Sequence, residues 1–224
     1  PKGLPTMGGK SYMKKVIVRG PALSQSGYGE HTRFVMRSLR SRPDLFEVYL
    51  VNINWGETGW IWEDNEERRW IDDVLAKTIQ FGQSGGQFDF SIQVTIGNEW
   101  EKIAPVNIAV TAGIESTKIA PVWIEKAQNM DKIITVSNHA KFGPEQFENF
   151  NASIECPIDV VGYPVKQLEK SKVDINLKYD FNFLTVGTWI PRKNLENTIK
   201  WFVEEFYDSE VGLVVKTSLA KNSL

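Results

Sequence analysis

Short apolar runs alternate with longer stretches of helical period along most of this chain. Apolar runs at 16–18, 46–53, 88–96, 106–110, 132–136 and 158–161 predict strands. The run at 46–53 alternates poorly, as a strand covered on both faces should. Between the strands, 30–39 reads as a helix with Phe34, Val35, Met36 and Leu39 on or beside its apolar face. The spacing predicts further helices over 64–75, over 121–129 with Pro121 in the favoured first turn, and over 138–147 with a Gly143-Pro144 break. Strands alternating with helices argue for a parallel sheet wound on both faces. The stretch 165–181 then turns polar and lysine-rich and reads as a linker. The pattern restarts with a strand at 183–186, a helix at 195–206 and a strand at 211–215. The expected class is therefore α/β. One Rossmann-like, doubly wound domain spans 13–164, and 182–224 begins a second one that a single β-α-β cannot complete. Residues 1–12 are expected to be a leader outside the domain.

Composition narrows the function classes. A hydrophobic share of 42% suffices for a core, and a net charge of −2 gives no basic surplus for nucleic acid or an anionic membrane. The single cysteine, Cys156, forms no internal disulfide, and two histidines, His31 and His139, exclude a multi-histidine metal site. No apolar run approaches the roughly 18 residues of a membrane span. With no signal peptide visible, these features lead us to expect a cytoplasmic protein.

Five segments carry candidate chemistry. Ser26-Gly27-Tyr28-Gly29 joins the first strand to its helix, where backbone amides bind anions and glycine admits a phosphate or sugar. It is equally a turn that needs glycine, and its spacing is neither G-x-G-x-x-G nor a P-loop. Glu115 follows the strand ending at Val110, at the sheet edge where such folds bind ligands; its alternative role is a helix-terminal acid. Ser137-Asn138-His139 follows the next strand, either as a helix cap or as ligand contacts. Arg192 and Lys193, with Lys216 on the next strand, offer a guanidinium fork and point charges to a diphosphate. Trp55, Trp60 and Trp62 cluster after the second strand, where they could stack on a sugar or pack as core or interface.

Together these segments resemble the GT-B glycosyltransferases, most closely the large retaining group called family 4. The resemblance rests on Ser26–Gly29, on Ala112-Gly-Ile-Glu115 followed by Trp123 and by 130–138, on 160–164, and on Val186-Gly187 followed by Arg192-Lys193-Asn194. Thr188 departs from it, because the family often has arginine there, and Asn194 stands where the family's Lys-Gly pair has glycine. No segment matches the paired glutamates of the family's donor domain, so the resemblance implies a truncated and inactive piece of the enzyme.

The resemblance implies transfer of a hexose from a nucleotide-diphosphate sugar to a hydroxyl acceptor, with retention and without a catalytic metal or other cofactor. Glu115, Arg192 and Lys193 would be catalytic; Gly27, Gly29, Arg192, Lys193 and Lys216 would hold the donor diphosphate. His139, Ser137 and Trp55 would contact sugar or acceptor. The incomplete second domain leaves room for self-association. The competing reading is a non-catalytic nucleotide- or anion-binding module acting through partners. A dinucleotide enzyme is disfavoured because no G-x-G-x-x-G follows the first strand.

Overall fold

The computed structural model describes residues 12–113, 119–142, 154–172 and 175–219. The β-branched run Val16-Ile-Val18 forms the buried middle of β1 (Lys14–Gly20). Ser26 ends the following loop and caps α1 (Gly27–Arg40), its side chain accepting from the Gly29 N–H. The remaining elements of the first unit are β2 (Phe46–Asn52), α2 (Glu66–Gln83), β3 (Phe90–Val94), β4 (Val106–Thr111), α3 (Pro121–Ala127), β5 (Lys132–Thr135), α4 (Asn138–Phe142) and β6 (Ile158–Val160). All six strands pair in parallel in the order β2-β1-β3-β4-β5-β6.

Strand register separates the two faces. Val18 pairs with Ile92 and Leu50, and Ile92 with Ile108, on one face; Arg19 pairs with Gln93, Gln93 with Ala109 and Ala109 with Ile133 on the other. The first face packs with Met36 and Leu39 of α1 and with Ile71 and Val74 of α2. Each such side chain contributes about 1.5–3 kcal/mol by leaving water. The second face packs Ala109 and Ile133 against Ala127 of α3, with Trp100 and Met130. Helices therefore flank the sheet on both sides, as in a Rossmann-like doubly wound fold.

Two features depart from the simplest reading of the pattern. β2 is an edge strand, and α2, eight residues longer than expected at its carboxyl end, runs along it. Thr78 Oγ1 accepts the Leu50 N–H at 2.8 Å and donates to the Val74 carbonyl, blunting an otherwise open edge. Second, β3 and β4 are parallel neighbours, yet only a 3₁₀ turn at Gly97–Glu99 and an extended strap join them, not an α-helix. The strap crosses the second face, and the strands hold it with polar side chains. Arg19 Nη1 donates to the Glu99 carbonyl at 2.6 Å. Gln93 bonds both the carbonyl and the N–H of Glu101. Asn107 Oδ1 accepts from the Ile103 and Ala104 N–H groups and from Ser91 Oγ. Ser91, Gln93 and Asn107 are fully buried because the strap's backbone needs their hydrogen bonds.

The chain divides into two compact units, the first comprising residues up to Val165 except 56–59. In the second, β7 (Phe181–Trp189) and β8 (Val211–Leu219) pair in parallel, joined through a 3₁₀ turn at Pro191–Lys193 and α5 (Leu195–Phe206). Phe183 meets Phe202 and Phe206 of α5 with ring centroids 5.9 and 5.3 Å apart. On the opposite face Leu184 and Val186 are exposed.

Candidate functional site

In the first unit the chain steps from β1 to β2 on one side and returns past β1 to β3. The loops after β1 and β3 thus diverge at the carboxyl edge of the sheet, where open α/β folds bind ligands. The β1–α1 loop is built by close contacts. A Cβ on Gly29 would lie 2.0 Å from the Ser24 carbonyl oxygen, so only glycine lets the helix begin there; a Cβ on Gly27 would meet nothing within 4 Å. The two glycines therefore differ: Gly29 is required by packing, whereas Gly27 presents open backbone. With the Gly29 N–H taken by Ser26, the Gly27 and Tyr28 amides have no hydrogen-bond partner among the described residues.

Arg33, buried one turn into α1, holds the same loop. Its Nη1 donates to the Ala22 and Ser24 carbonyls at 2.8 and 2.9 Å, and its Nε and Nη2 to Glu30. Burial acts to raise the Glu30 pKa, but hydrogen bonds from Arg37 and Arg33 outweigh it and hold the carboxyl below its usual value. Glu67 is likewise lowered, mainly by its hydrogen bond from Arg37. His31 is buried, which lowers its pKa, and its ring meets Tyr163 edge-on at 4.9 Å. Tyr163 Oη donates to the Gly27 carbonyl at 2.9 Å, so the end of the first unit is fastened to the loop.

Tyr28 joins the β1 loop to the β4 loop. Its hydroxyl shares a hydrogen bond of 3.0 Å with Thr111 Oγ1 and accepts the Ala112 N–H at 3.2 Å. Burial raises its pKa against these two bonds, so it remains a neutral phenol. Trp55 lies against the Tyr28 ring at 4.6 Å, half-buried. Gly113, at φ +73°, brings the β4 loop against α4: a Cβ there would lie 2.8 Å from Ala140 Cβ. Ser137 Oγ accepts the Ala140 N–H at 3.1 Å, the capping alternative for that residue, and His139 is exposed. Glu115 lies outside the described residues. The first unit thus brings Gly27, Tyr28, Trp55, Thr111 and Gly113 to one linked edge. Arg33 carries no motif signal, and Tyr28 and Tyr163, though inside segments the sequence singles out, take their roles from tertiary contacts alone.

In the second unit, Arg192 and Lys193 sit exposed on the turn after β7. The Lys193 stem packs over Gly187, the nearest carbon 3.7 Å from where a Cβ would stand. Asn194 takes the left-handed conformation at φ 53° and begins α5 without a side-chain cap, its Oδ1 accepting from Asn197 Nδ2 instead. Beside this junction lies a cavity of about 260 Å³ lined by Trp189, Ile190, Pro191, Asn194, Leu195 and Glu196. Lys216 pairs with Val186, whereas Thr217 pairs with Gly187. Strand alternation therefore directs Lys216 to the face opposite the one on which Lys193 packs. The structure brings Arg192 and Lys193 together at the start of α5 and leaves Lys216 apart.

Among the described residues no group of three His, Cys, Asp or Glu side chains is arranged to hold a metal ion, and no helix is long and apolar enough to cross a membrane. No protein-family model and no curated protein matches the sequence. One solved structure, described as a lipopolysaccharide outer core galactosyltransferase WaaB in apo form, is similar at 16% identity with a TM-score of 0.49. The similarity covers 91% of this chain and 60% of that one, so the chain spans less than two thirds of its length.

Proposed function

We propose that this chain belongs to a glycosyltransferase that moves a hexose from a nucleotide-diphosphate sugar to a hydroxyl acceptor, with retention and without a catalytic metal. The observation that carries the reading is the β7–α5 junction. A guanidinium and an ammonium stand there beside a helix start without a side-chain cap and a cavity large enough to take part of a ligand. Helix-terminal amides and fixed cations suit a diphosphate, and stabilising a departing diphosphate is the main electrostatic work of glycosyl transfer. Arg192 supplies the fork and Lys193 the point charge, its stem lying over Gly187. The first unit offers the open Gly27 and Tyr28 amides, and Glu115 and His139 serve the sugar or acceptor.

A thermal-shift panel tests this with UDP, GDP, their hexose conjugates, NAD, ATP and sulfate. Stabilisation by one nucleoside diphosphate above sulfate, lost in the Arg192→Ala/Lys193→Ala variant, is expected. A shift with NAD alone, or one indifferent to the double substitution, refutes the assignment.

A further inference from the structure

The chain exposes two indoles that the fold does not consume. Trp60 and Trp62 stack with centroids 6.5 Å apart and planes 25° from parallel, and they remain 39% and 74% exposed. Their placement is locked through the residue between them. The Ile61 N–H donates to the Leu23 carbonyl at 2.9 Å, its carbonyl accepts from Arg68 Nη1, and Trp60 bridges Ser24. In extended backbone, residues two apart project to one side, so locking Ile61 aims both rings the same way. Trp55, by contrast, is occupied by Tyr28. Two aromatic faces held in advance lose little entropy when a ligand stacks on them. They adjoin the loop that ends in Ser26–Gly29, at the carboxyl edge of β1.

We propose that Trp60 and Trp62 form a stacking platform for a saccharide. That this saccharide is the transfer acceptor rests on the glycosyl-transfer reading; the platform itself does not. Pyranose rings present apolar C–H faces to an aromatic plane and hydroxyls at their rim. The surroundings match such a rim: Glu63 follows Trp62 directly, and Asp64, Glu66 and Glu67 beyond it pair with Arg69, Arg40 and Arg37. Paired charges of both signs offer hydroxyls donors and acceptors but leave no surplus of cations to hold an anionic lipid, so a membrane is the less fitting occupant.

The test uses the full chain with lactose, maltotriose, chitotriose and mannotriose as probes. Sorbitol serves as a polyol without a ring face. Phosphatidylcholine vesicles, with and without phosphatidylglycerol, form the membrane arm. Saturation-transfer NMR and tryptophan fluorescence report binding. One of the saccharides is expected to saturate the protein, sorbitol and both vesicles to fail, Trp62→Ala to weaken binding at least about tenfold, and Trp62→Phe to retain it within about threefold. No binding by any of the four, unchanged binding in Trp62→Ala, or Trp62-dependent vesicle binding overturns the proposal. Nucleoside-diphosphate binding is measured on the same samples. Saccharide binding lost while nucleotide binding persists removes the platform alone. The reverse removes the glycosyl-transfer reading and leaves the platform.

Discussion

The two glycines of the first loop give opposite expectations for one chemical change. Adding a methyl group at Gly29 places carbon 2.0 Å from the Ser24 carbonyl oxygen, 2.9 Å from its carbon and 3.0 Å from the Pro21 oxygen. All three contacts are backbone, so no side chain can swing aside, and the loop or the helix must move. Overpacking of this kind costs about 1–3 kcal/mol, and strain on a loop fixed by Arg33 puts Gly29→Ala at the upper end. Gly27→Ala meets empty space and replaces glycine at the first helical position, which reduces the freedom of the unfolded chain. It should be neutral or stabilise by about 0.4–1 kcal/mol. Urea unfolding of both variants measures the difference, and thermal unfolding repeats it at about 2–4 °C of melting temperature per kcal/mol for a chain of this size. Equal stability of the two variants, or a greater loss in Gly27→Ala, would refute the contact reasoning. If the Gly27 amide meets a ligand, Gly27→Ala weakens nucleotide or sugar binding while the fold holds.

Arg33→Met strands the Ala22 and Ser24 carbonyls and leaves Glu30 with Arg37 alone; a loss of about 1–3 kcal/mol is expected in urea unfolding. Thr78→Val leaves the Leu50 N–H of the edge strand without its acceptor and should cost about 1–3 kcal/mol by the same assay. Glu30 and Glu67 titrate below 4.5 in the folded state, so the unfolded chain takes up their protons first as pH falls. The stability they contribute is present above about 4.5 and lost through their lowered folded values. Replacing Arg37 with Met should flatten that slope in urea midpoints measured against pH. His31 acts with the same sign at higher pH: buried neutral, it favours the fold above 6.5 and opposes it as pH falls through its lowered value, a slope that His31→Phe removes.

The parallel sheet was legible because its strands are short apolar runs at regular distance from amphipathic helices. The polar exceptions were not. Ser91, Gln93 and Asn107 interrupt the apolar runs of their strands, and they are buried under the strap that crosses the second face. Nothing local in the sequence distinguishes a polar residue facing water from one bonded to a distant backbone. The end of α2 was missed for a related reason. Lys77 to Gln83 shows little apolar period because Ile79 faces solvent and Phe81 packs sideways on Tyr49. Glycine and charge singled out Gly27, Gly29, Arg192 and Lys193 as candidates. They could not separate Gly29 from Gly27, nor reveal that alternation sends Lys216 to the other face, because both depend on contacts across strands. Tyr28 lay inside the recognised motif, but its bond to Thr111 spans more than half the first unit's sequence.

The central claim is that the turn after β7 receives a diphosphate. Hydrogen exchange on the full chain, with and without the nucleoside diphosphate that stabilises it most, locates the contact directly. The account predicts protection concentrated in peptides covering 189–198, where the Arg192-Lys193 turn meets the first turn of α5, and its loss in Arg192→Ala/Lys193→Ala. Protection absent from that junction, or unchanged in the double variant, would contradict it.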